Sequence, residues 1–536
     1  MGCFHYRLGS TVSLKPQGIY MSHPLSFFAI SGMSYEVLRA ISHDWLDVPE
    51  ILDTLYGANV PTGVEKRITR LLSTLITRQL VDCAVFPDPT SHPDGVSIII
   101  PVWNRADKIG ECLEGLLQQS VEFDWEIVLV NDGSTDHTEE IVRHFLRSQD
   151  KIITLPLRGG PAAARNIGAE HARYPILVFI DSDCVPDADW LNELAGPFQD
   201  STVAAVGGRI HSIPDSRITL AIYELSQSPL DLGTKTGFVG PGKPIRYVIT
   251  ANLAVRANAF WHMHGFRSDW TVGEDVDFSW RLSHNNSVWY QPSALVRHHS
   301  RTTWSSFLMR RAQYASSEAR LERAHPDLSK NFPMSIGILA LVSIIIAGIV
   351  FPVPYALGYA GLWAAIEGGR WIQWQERFRR YHVFLPLTVM AKVRGRMFVA
   401  WTAEWSLLVA RYRSGILLAL GAFCLVAAEA LGKESLVLPG MILTIGCLIV
   451  YVIAATTARA KRSSLNSHQL PFLQYLGIFM AEMLSYQAGL WWGAFRFKNL
   501  QCLIIHPTSK STGASKLSKT RKRRRVKNIG SEEPTN

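Results

Sequence analysis

The sequence lacks the closely spaced cysteines of a disulfide framework or a structural zinc site. Its seven cysteines are odd in number and scattered, and no Cys-x-x-Cys occurs among them. Neither class of protein is therefore indicated, and the pattern fits a reducing compartment. The first residues, MGCFHYRLGSTVSLK, also lack the apolar core of a signal peptide. We therefore expect the first domain to stay in the cytoplasm.

Long apolar runs are absent from the first 330 residues and frequent after them. With 536 residues, 47% of them hydrophobic, the chain is too long for one ordinary domain, and we expect a soluble part and a membrane part. The net charge of +9 is concentrated in the tail 516–527 and beside the apolar runs. This placement suits an anionic membrane surface as readily as nucleic acid, and we expect a membrane rather than nucleic acid as partner.

Composition and periodicity divide the chain into segments. Residues 1–88 contain a strand pair and three helical stripes, and residues 96–330 alternate strands with helices. Such alternation predicts an α/β fold with a mostly parallel sheet, helices on both faces, and ligands bound beyond the carboxyl ends of the strands. We expect a small N-terminal domain, a linker, a catalytic domain, membrane-associated helices and a basic disordered tail, at residues 1–88, 89–95, 96–330, 331–500 and 501–536.

Several apolar runs beyond residue 330 are long enough to contact a bilayer. Residues 414–432 and 436–458 are the best candidates for membrane spans, and 335–350 is a weaker one. Arginines and lysines border the outer ends of the two best candidates, which places those ends in the cytoplasm by the positive-inside rule. Residues 472–497 mix apolar and polar side chains, so we expect an interfacial helix there.

Polar side chains follow successive predicted strands of the α/β segment. Because the ends of parallel strands meet at one edge of a sheet, we expect these groups to share a rim. Turns are polar and helix caps are acidic in any protein, which explains each residue singly but explains the whole set less well. The candidates for ligand binding are Pro101, Asn104, Arg105, Asp132, Arg165, Asp181 and Asp183.

The paired carboxylates of Asp181 and Asp183 follow a buried strand with one residue between them. Like charges this close repel each other, and a divalent cation with a bound diphosphate offsets that repulsion. Mg²⁺ and Mn²⁺ prefer such oxygen ligands. One of the adjacent histidines His298 and His299 is a candidate for a further metal ligand beside Asp183, and we choose His298.

A third acidic cluster, Glu274, Asp275 and Asp277, lies at the start of a predicted helix. Acids are favoured in a first helical turn for structural reasons, and Asp277 can pair with Arg281 one turn later. The alternative is that one of these carboxylates is a general base that points into the rim.

These motifs resemble the inverting family-2 glycosyltransferases of GT-A fold. VSIIIPVWN, VNDGSTD, DSD and GEDVDFSWR occur here in that family's order between residues 96 and 320. The resemblance implies a nucleotide-sugar donor. Asp132 would contact the uracil or ribose, and Asp181 and Asp183 the ribose and the metal-bound diphosphate. Asp275 would deprotonate the acceptor. The Gln-x-x-Arg-Trp motif of processive synthases is absent.

A narrower resemblance is to the glycosyltransferases of the mycofactocin pathway, carried by GGPAAARNIG, LDLG, RRAQY and SYQAGLWWGAFRFKNL. It implies UDP-glucose as donor and a peptide-derived redox cofactor precursor as acceptor, with repeated β-1,4 addition. Residues 10–85 resemble a peptide-chaperone domain, and other enzymes of the pathway are implied partners. The alternatives are a lipid-linked or cell-envelope acceptor, and a non-catalytic peptide- and nucleotide-binding protein.

Overall fold

The computed structural model describes most of the chain in two compact units. The first unit comprises residues 1–324 with 387–499, and the second comprises 325–386 with 500–536. The described residues are 4–10, 12–15, 18–22, 25–28, 33–78, 80–86, 93–213, 219–300, 302–328, 331–333, 387–462, 470–503 and 506–508, with scattered residues between 358 and 376. The predictions for the run 335–350 and for nearly all of the basic tail lie outside them.

The N-terminal part of the first unit has two small sheets and three helices. Strand β1 pairs with β5, and β2, β3 and β4 form a separate antiparallel sheet. The predicted strand pair and three helices are confirmed. Their bounds are β1 Phe4–Leu8, β2 Val12–Lys15, β3 Gly18–Ser22, β4 Leu25–Phe28, β5 Val81–Val85, α1 Met33–Ala40, α2 Val48–Tyr56 and α3 Val64–Thr77.

An aromatic contact joins this N-terminal part to the rest of the first unit. The ring of Phe4 lies edge-on to Trp289, with centroids 4.6 Å apart, and 5.8 Å from the ring of Phe238. Thr236 also donates a hydrogen bond to the carbonyl of Cys83 at 2.7 Å. The two parts therefore share one hydrophobic core.

A nine-stranded mixed sheet forms the centre of the first unit. Strand β6 lies between β7 and β9 in parallel, and β8 continues beside β7. Strand β13 is antiparallel to β9 and β11, β14 is parallel to β11, and β10 and β12 are antiparallel to β14. The bounds are β6 Val96–Val102, β7 Trp125–Asn131, β8 Lys151–Thr154, β9 Ile176–Ile180, β10 Cys184–Pro186, β11 Val203–Ser212, β12 Gly237–Phe238, β13 Asn252–Arg256 and β14 Ser287–His298.

Helices cover both faces of this sheet, as predicted. Ile98 and Ile100 of β6 lie in one hydrophobic core and Ile99 lies in another, because successive side chains of a strand point to opposite faces. The α/β fold class is confirmed, with an antiparallel portion added to the parallel strands. The helices are α4 Ile109–Leu117, α5 Thr138–Phe145, α6 Pro161–Glu170, α7 Trp190–Ala195, α8 Thr219–Gln227, α9 Ala257–His262, α10 Glu274–Ser283 and α11 Trp304–Ala324.

Four further helices belong to the first unit, and one of them packs closely on α11. They are α12 Leu387–Tyr412, α13 Ser414–Leu431, α14 Val437–Arg462 and α15 Phe472–Arg496. A Cβ atom on Gly489 would lie 2.0 Å from the carbonyl oxygen of Ala312, and one on Gly493 would lie 2.4 Å from that of Ser316. Glycines four residues apart thus allow the two backbones to touch, a spacing common where helices pack closely.

Two helices are long and apolar enough to cross a membrane, judged by length and composition. They cover Ser414–Leu431 and Glu434–Ala460, with mean hydropathies of 2.0 and 2.5, and only 17% of each lies buried within the protein. They coincide with the two spans predicted from the sequence. Their apolar side chains face outward, as a lipid-facing surface requires.

The polar residues of α15 contact protein. Glu482 is buried, with its Oε1 atom 2.8 Å from Nε of Arg311 on α11. Gln487 is also buried and donates to the carbonyl of Ala410 at 2.8 Å. The mixture of polar and apolar residues that suggested an interfacial helix therefore serves packing on one face, and its position relative to a membrane stays a prediction.

The second unit, as far as it is described, contains two short paired strands. Strand β15, Asn331–Pro333, lies parallel to β16, His506–Thr508, with Asn331 opposite His506. Among the described residues of this unit, a 3-10 turn at Pro326–Leu328 precedes β15 and another at Leu500–Leu503 precedes β16.

The α11–α15 contact yields a test with a matched control on one helix. We expect Gly489→Ala to destabilise the protein by about 2 kcal/mol, because the new methyl group meets the backbone of Ala312. Gly477 of the same helix has open space around it, so Gly477→Ala should stabilise by about 0.5–1 kcal/mol through helix propensity. Thermal unfolding in detergent measures both, and effects of the same sign would contradict this packing.

Candidate active site

The loops that follow β6 and β7 are bonded to each other at the carboxyl ends of these strands. Asn104, in the left-handed region with φ 49°, accepts from the backbone N–H of Thr135 at 2.8 Å, and its own N–H donates to Oγ of Ser134 at 3.0 Å. The N–H of Arg105 donates to Oγ1 of Thr138 at 2.8 Å. Pro101 lies within β6 beside Val130 of β7. The two predicted segments therefore form one rim.

Asp132 is buried directly after β7, and its carboxylate holds the next loop. One oxygen accepts from the backbone N–H of Gly159 at 2.6 Å and the other from Gly160 at 2.9 Å. Gly160, at φ 92°, precedes the first turn of α6. Asp132 thus positions the start of α6, and direct contact with a nucleoside stays a prediction.

Arg165 bridges two carboxylates that are far apart in the sequence. Its guanidinium donates to Oδ1 of Asp181 at 2.6 Å and to Oε1 of Glu274 at 3.0 Å, and its side chain is only 4% exposed. Burial acts to lower the pKa of Arg165, but these two carboxylates outweigh it and the pKa lies above its usual value. The bridge fixes the loop after β9 to the start of α10.

Strand pairing brings His298 to Asp183. Cys184 of β10 lies opposite His298 of β14, so the neighbouring Asp183 has its Oδ1 atom 3.6 Å from Nε2 of His298. Nε of Arg105 lies 3.7 Å from the other oxygen of Asp183. His299 points elsewhere, with Nε2 3.1 Å from Glu111. Of the two candidate histidines, His298 is therefore the one beside Asp183.

The carboxylates of this rim create a negative potential. Cys112 and Cys184 are buried beneath the loop after β9, and the Cys112 thiol lies 3.8 Å from the carbonyl oxygen of Asp181. Burial, and then the charges of Asp183 and Asp181, raise the pKa of both thiols. The thiols therefore stay protonated, and the site has the potential that favours a cation.

Two side chains that could hold a divalent cation, those of Asp183 and His298, face each other. Oxygen and imidazole donors suit Mn²⁺, and Mg²⁺ is usually held by one or two carboxylates with substrate phosphates and water as the other ligands. Among the described residues, a closer group of three possible ligands is His5, Asp47 and Glu50. Reciprocal hydrogen bonds between Asp47 and Glu50 at the start of α2 explain that group structurally.

Asp275 is the candidate base at the start of α10. It remains partly accessible to solvent, yet burial and the adjacent charge of Glu274 raise its pKa to about 7. Asp277 is fully buried and pairs with Arg281 at 2.8 Å, which confirms the predicted structural pair. A carboxyl group with a pKa near neutrality can take up and release a proton at working pH.

Trp103 and Arg158 also lie at this rim, although neither was predicted from the sequence. The guanidinium of Arg158 lies 3.5 Å from the centroid of the Trp103 ring, which is 37% exposed. A Cβ atom on Gly133 would lie 3.1 Å from the backbone nitrogen of Arg158, so this stack stands beside the loop that follows Asp132. An exposed aromatic residue directly before Asn104 at a strand end was the available signal.

Similarity to known proteins identifies the family to which this chain belongs. Residues 97–263 match the sequence profile of the family described as "Glycosyl transferase family 2". The pre-mycofactocin glycosyltransferase of Mycobacterium tuberculosis is 32% identical over 447 residues, covering 81% of this chain and 87% of that relative. Glycosyltransferase AglE of Haloferax volcanii is 37% identical over 124 residues, which are 23% of this chain and 41% of AglE.

Among solved structures, "Mannosyltransferase PcManGT from Pyrobaculum calidifontis in complex with GDP-Man and Mn2+" matches with a TM-score of 0.35 and 20% identity, covering 58% of this chain and 87% of that chain. A mixed sheet with this family match is the architecture of a GT-A-type glycosyltransferase. This chain belongs to the family-2 glycosyltransferases, in the same family as the pre-mycofactocin glycosyltransferase of M. tuberculosis.

The Arg165 bridge yields a stability test. Arg165→Gln leaves Asp181 and Glu274 without their shared cation, so we expect a loss of about 3 kcal/mol at neutral pH. Chemical unfolding at neutral pH measures it. Arg173→Gln, at a side chain 55% exposed, is the control, and equal effects of the two substitutions would refute the bridge.

Proposed function

We propose that this enzyme transfers glucose from UDP-glucose, with inversion, onto the peptide-derived cofactor precursor pre-mycofactocin, and builds a short β-1,4 oligosaccharide. The observation that carries the proposal is the Arg165 bridge, which holds the helix that carries Asp275 against the Asp181 loop, and the raised pKa of Asp275 agrees with it. A general base next to a nucleotide-sugar site is the arrangement that transfer to a hydroxyl requires.

The donor binds, in this proposal, across the rim formed by the loops after β6, β7 and β9. Trp103 and Arg158 offer a stacked surface for the uracil. Arg105, near Asp183, contributes positive charge for the diphosphate. Asp181, held by Arg165, accepts a hydrogen bond from the ribose. Pro101, Asn104 and Asp132 shape the surface on which the nucleoside lies.

A divalent cation completes the donor site in this proposal. Asp183 and His298 would hold Mn²⁺ or Mg²⁺ together with the donor diphosphate. When bound, the cation supplies Lewis-acid stabilisation of the negative charge on the leaving diphosphate.

The transfer itself is a single displacement. Asp275 takes the proton from the acceptor hydroxyl, and the acceptor oxygen forms a bond to the anomeric carbon. The bond from that carbon to the diphosphate oxygen breaks, and UDP leaves with the electron pair. Attack from the face opposite the leaving group inverts the anomeric configuration. Glu274 assists by keeping the pKa of Asp275 high, so that the carboxylate is a strong enough base.

Pre-mycofactocin is the acceptor that the similarity favours, because the match covers most of the relative that carries this name. We propose that residues 1–88 form a peptide-binding domain, that residues 96–330 form the catalytic domain, and that 331–500 attach it to the membrane. The N-terminal domain packs on the central sheet through the contact of Phe4 with Trp289, which supports a shared task for the N-terminal and catalytic domains. Retention of Asp181, Asp183 and Asp275 speaks against a non-catalytic binding protein.

A lipid-linked or cell-envelope acceptor is the second candidate. The two helices apolar enough to cross a membrane favour it, because they would bring the enzyme to a bilayer that carries such acceptors. The arginines at the outer ends of those helices support a catalytic domain on the cytoplasmic side in either case.

Mass spectrometry decides between these acceptors. We expect incubation with UDP-glucose and Mn²⁺ to add hexoses to pre-mycofactocin and not to a polyprenyl phosphate. Asp183→Ala and Asp275→Ala should each abolish transfer without unfolding the protein, whereas the exposed Asp107→Ala should not. Hexose on the lipid alone would overturn the acceptor assignment, and normal turnover in either site variant would overturn the site.

The pH profile tests the base. Asp275 acts in its deprotonated form, so kcat/KM for the acceptor should fall about tenfold per pH unit below pH 7 and level off above it. Because the charge of Glu274 raises the pKa of Asp275, Glu274→Gln should move this fall to lower pH. A profile that is flat down to pH 5.5, or unmoved by Glu274→Gln, would exclude Asp275 as the group responsible.

A further inference from the structure

Helix α10, which carries Asp275, also contacts elements that the proposed donor site does not use. A segment that precedes α10 in the chain is one of them. Ser279 donates to the carbonyl of Val248 at 3.1 Å, and Nε1 of Trp280 donates to the carbonyl of Arg246 at 3.0 Å. Tyr247 lies between Arg246 and Val248 in the chain, so it is held beside α10. Its side chain is half-buried.

Helix α11 connects this region to the C-terminal helices. Gly273, at φ 84° before α10, packs on Ser317 of α11, where an added Cβ would lie 3.0 Å from the Ser317 Cβ. The next residue of α11, Glu318, accepts hydrogen bonds from the hydroxyl of Tyr412 at 3.2 Å and from that of Tyr486. The end of α12 and the middle of α15 thus contact α11 one residue along from its contact with the start of α10.

Arg411 is the cation at this junction. Its guanidinium stacks on the ring of Tyr486 with 4.0 Å to the centroid, and the side chain is exposed to solvent. Burial and the carboxylate of Asp275 raise the pKa of the Tyr247 hydroxyl, while Arg411 opposes them and Tyr314 adds to them. The contacts through Tyr486, Glu318 and Ser317 place Arg411 near the start of α10, and the charges that act on Tyr247 agree with this placement.

We propose that Arg411, with Tyr247 beside α10, forms an acceptor-binding surface next to the start of the helix that carries Asp275. A guanidinium binds carbonyl and carboxylate oxygens, and a peptide-derived acceptor carries such oxygens. This inference rests on the proposed function and assigns its acceptor specificity to the C-terminal helices. Glu318 and Tyr486 position the guanidinium.

The test separates acceptor binding from donor binding. With UDP-glucose and pre-mycofactocin as probes, we expect Arg411→Gln to raise the acceptor KM about tenfold or more, with the donor KM and the acceptor-independent hydrolysis of UDP-glucose unchanged. Arg411→Lys keeps the charge and should lie between. Arg459→Gln, which removes an arginine stacked on Tyr475 in the same helical bundle, should leave the acceptor KM unchanged.

An unchanged acceptor KM in Arg411→Gln overturns the inference. So does a parallel rise in the donor and acceptor KM with a lowered melting temperature, because that is the result of a purely structural role. Where Arg411→Gln fails to fold, the acceptor KM of Arg411→Lys and of Tyr247→Phe decides. Wild-type turnover checks the proposed function separately. Transfer to a polyprenyl phosphate alone, with the same Arg411 dependence, would overturn the peptide-derived acceptor.

Discussion

The buried bridge of Arg165 is the interaction on which the site depends. One guanidinium holds Asp181, at the end of a central strand, and Glu274, at the start of a helix more than ninety residues later. Both carboxylates would otherwise repel each other and Asp275. Because the bridge lies inside the protein, its geometry is fixed by packing, and it sets the spacing between the donor loop and the proposed base. Arg165 thus acts through position, and its buried side chain leaves little surface for a ligand.

The bridge does not neutralise the rim. Asp181, Asp183, Glu274 and Asp275 bring four carboxyl groups together, against the guanidinium groups of Arg165 and Arg105. The excess has two consequences that the structure separates in space. At Asp183 the excess of negative charge favours a cation. The same charge contributes to the raised pKa of the thiols beneath. At Asp275 it favours the protonated form and so makes a stronger base. Acids of one cluster are thereby suited to different tasks by their neighbours.

Local patterns predicted the strands and their polar ends, since alternation and turn chemistry depend on nearby residues. They could not predict that Asp132 accepts hydrogen bonds from the backbone N–H groups of Gly159 and Gly160, because those bonds depend on how the next loop folds back. The choice of His298 over His299 depends on the pairing of β10 with β14 across more than a hundred residues. The antiparallel strands of the sheet were missed for the same reason, because the periodicity of a single strand does not indicate the direction in which it pairs.

The C-terminal helices show what hydrophobicity alone cannot predict. An apolar helix that faces lipid and one that faces protein have the same composition, so composition did not indicate that the polar residues of α15 bind α11 and α12. The position of α15 relative to a membrane stays a prediction. The more informative signal was the spacing of Gly489 and Gly493. This spacing allows close backbone contact between helices and does not depend on hydropathy. Because α11 contacts both this helix and Gly273, the C-terminal helices and the helix that carries Asp275 share one support. Displacing that support by the width of a methyl group would shift Asp275 relative to its neighbours, so the C-terminal helices contribute to the geometry of the candidate site.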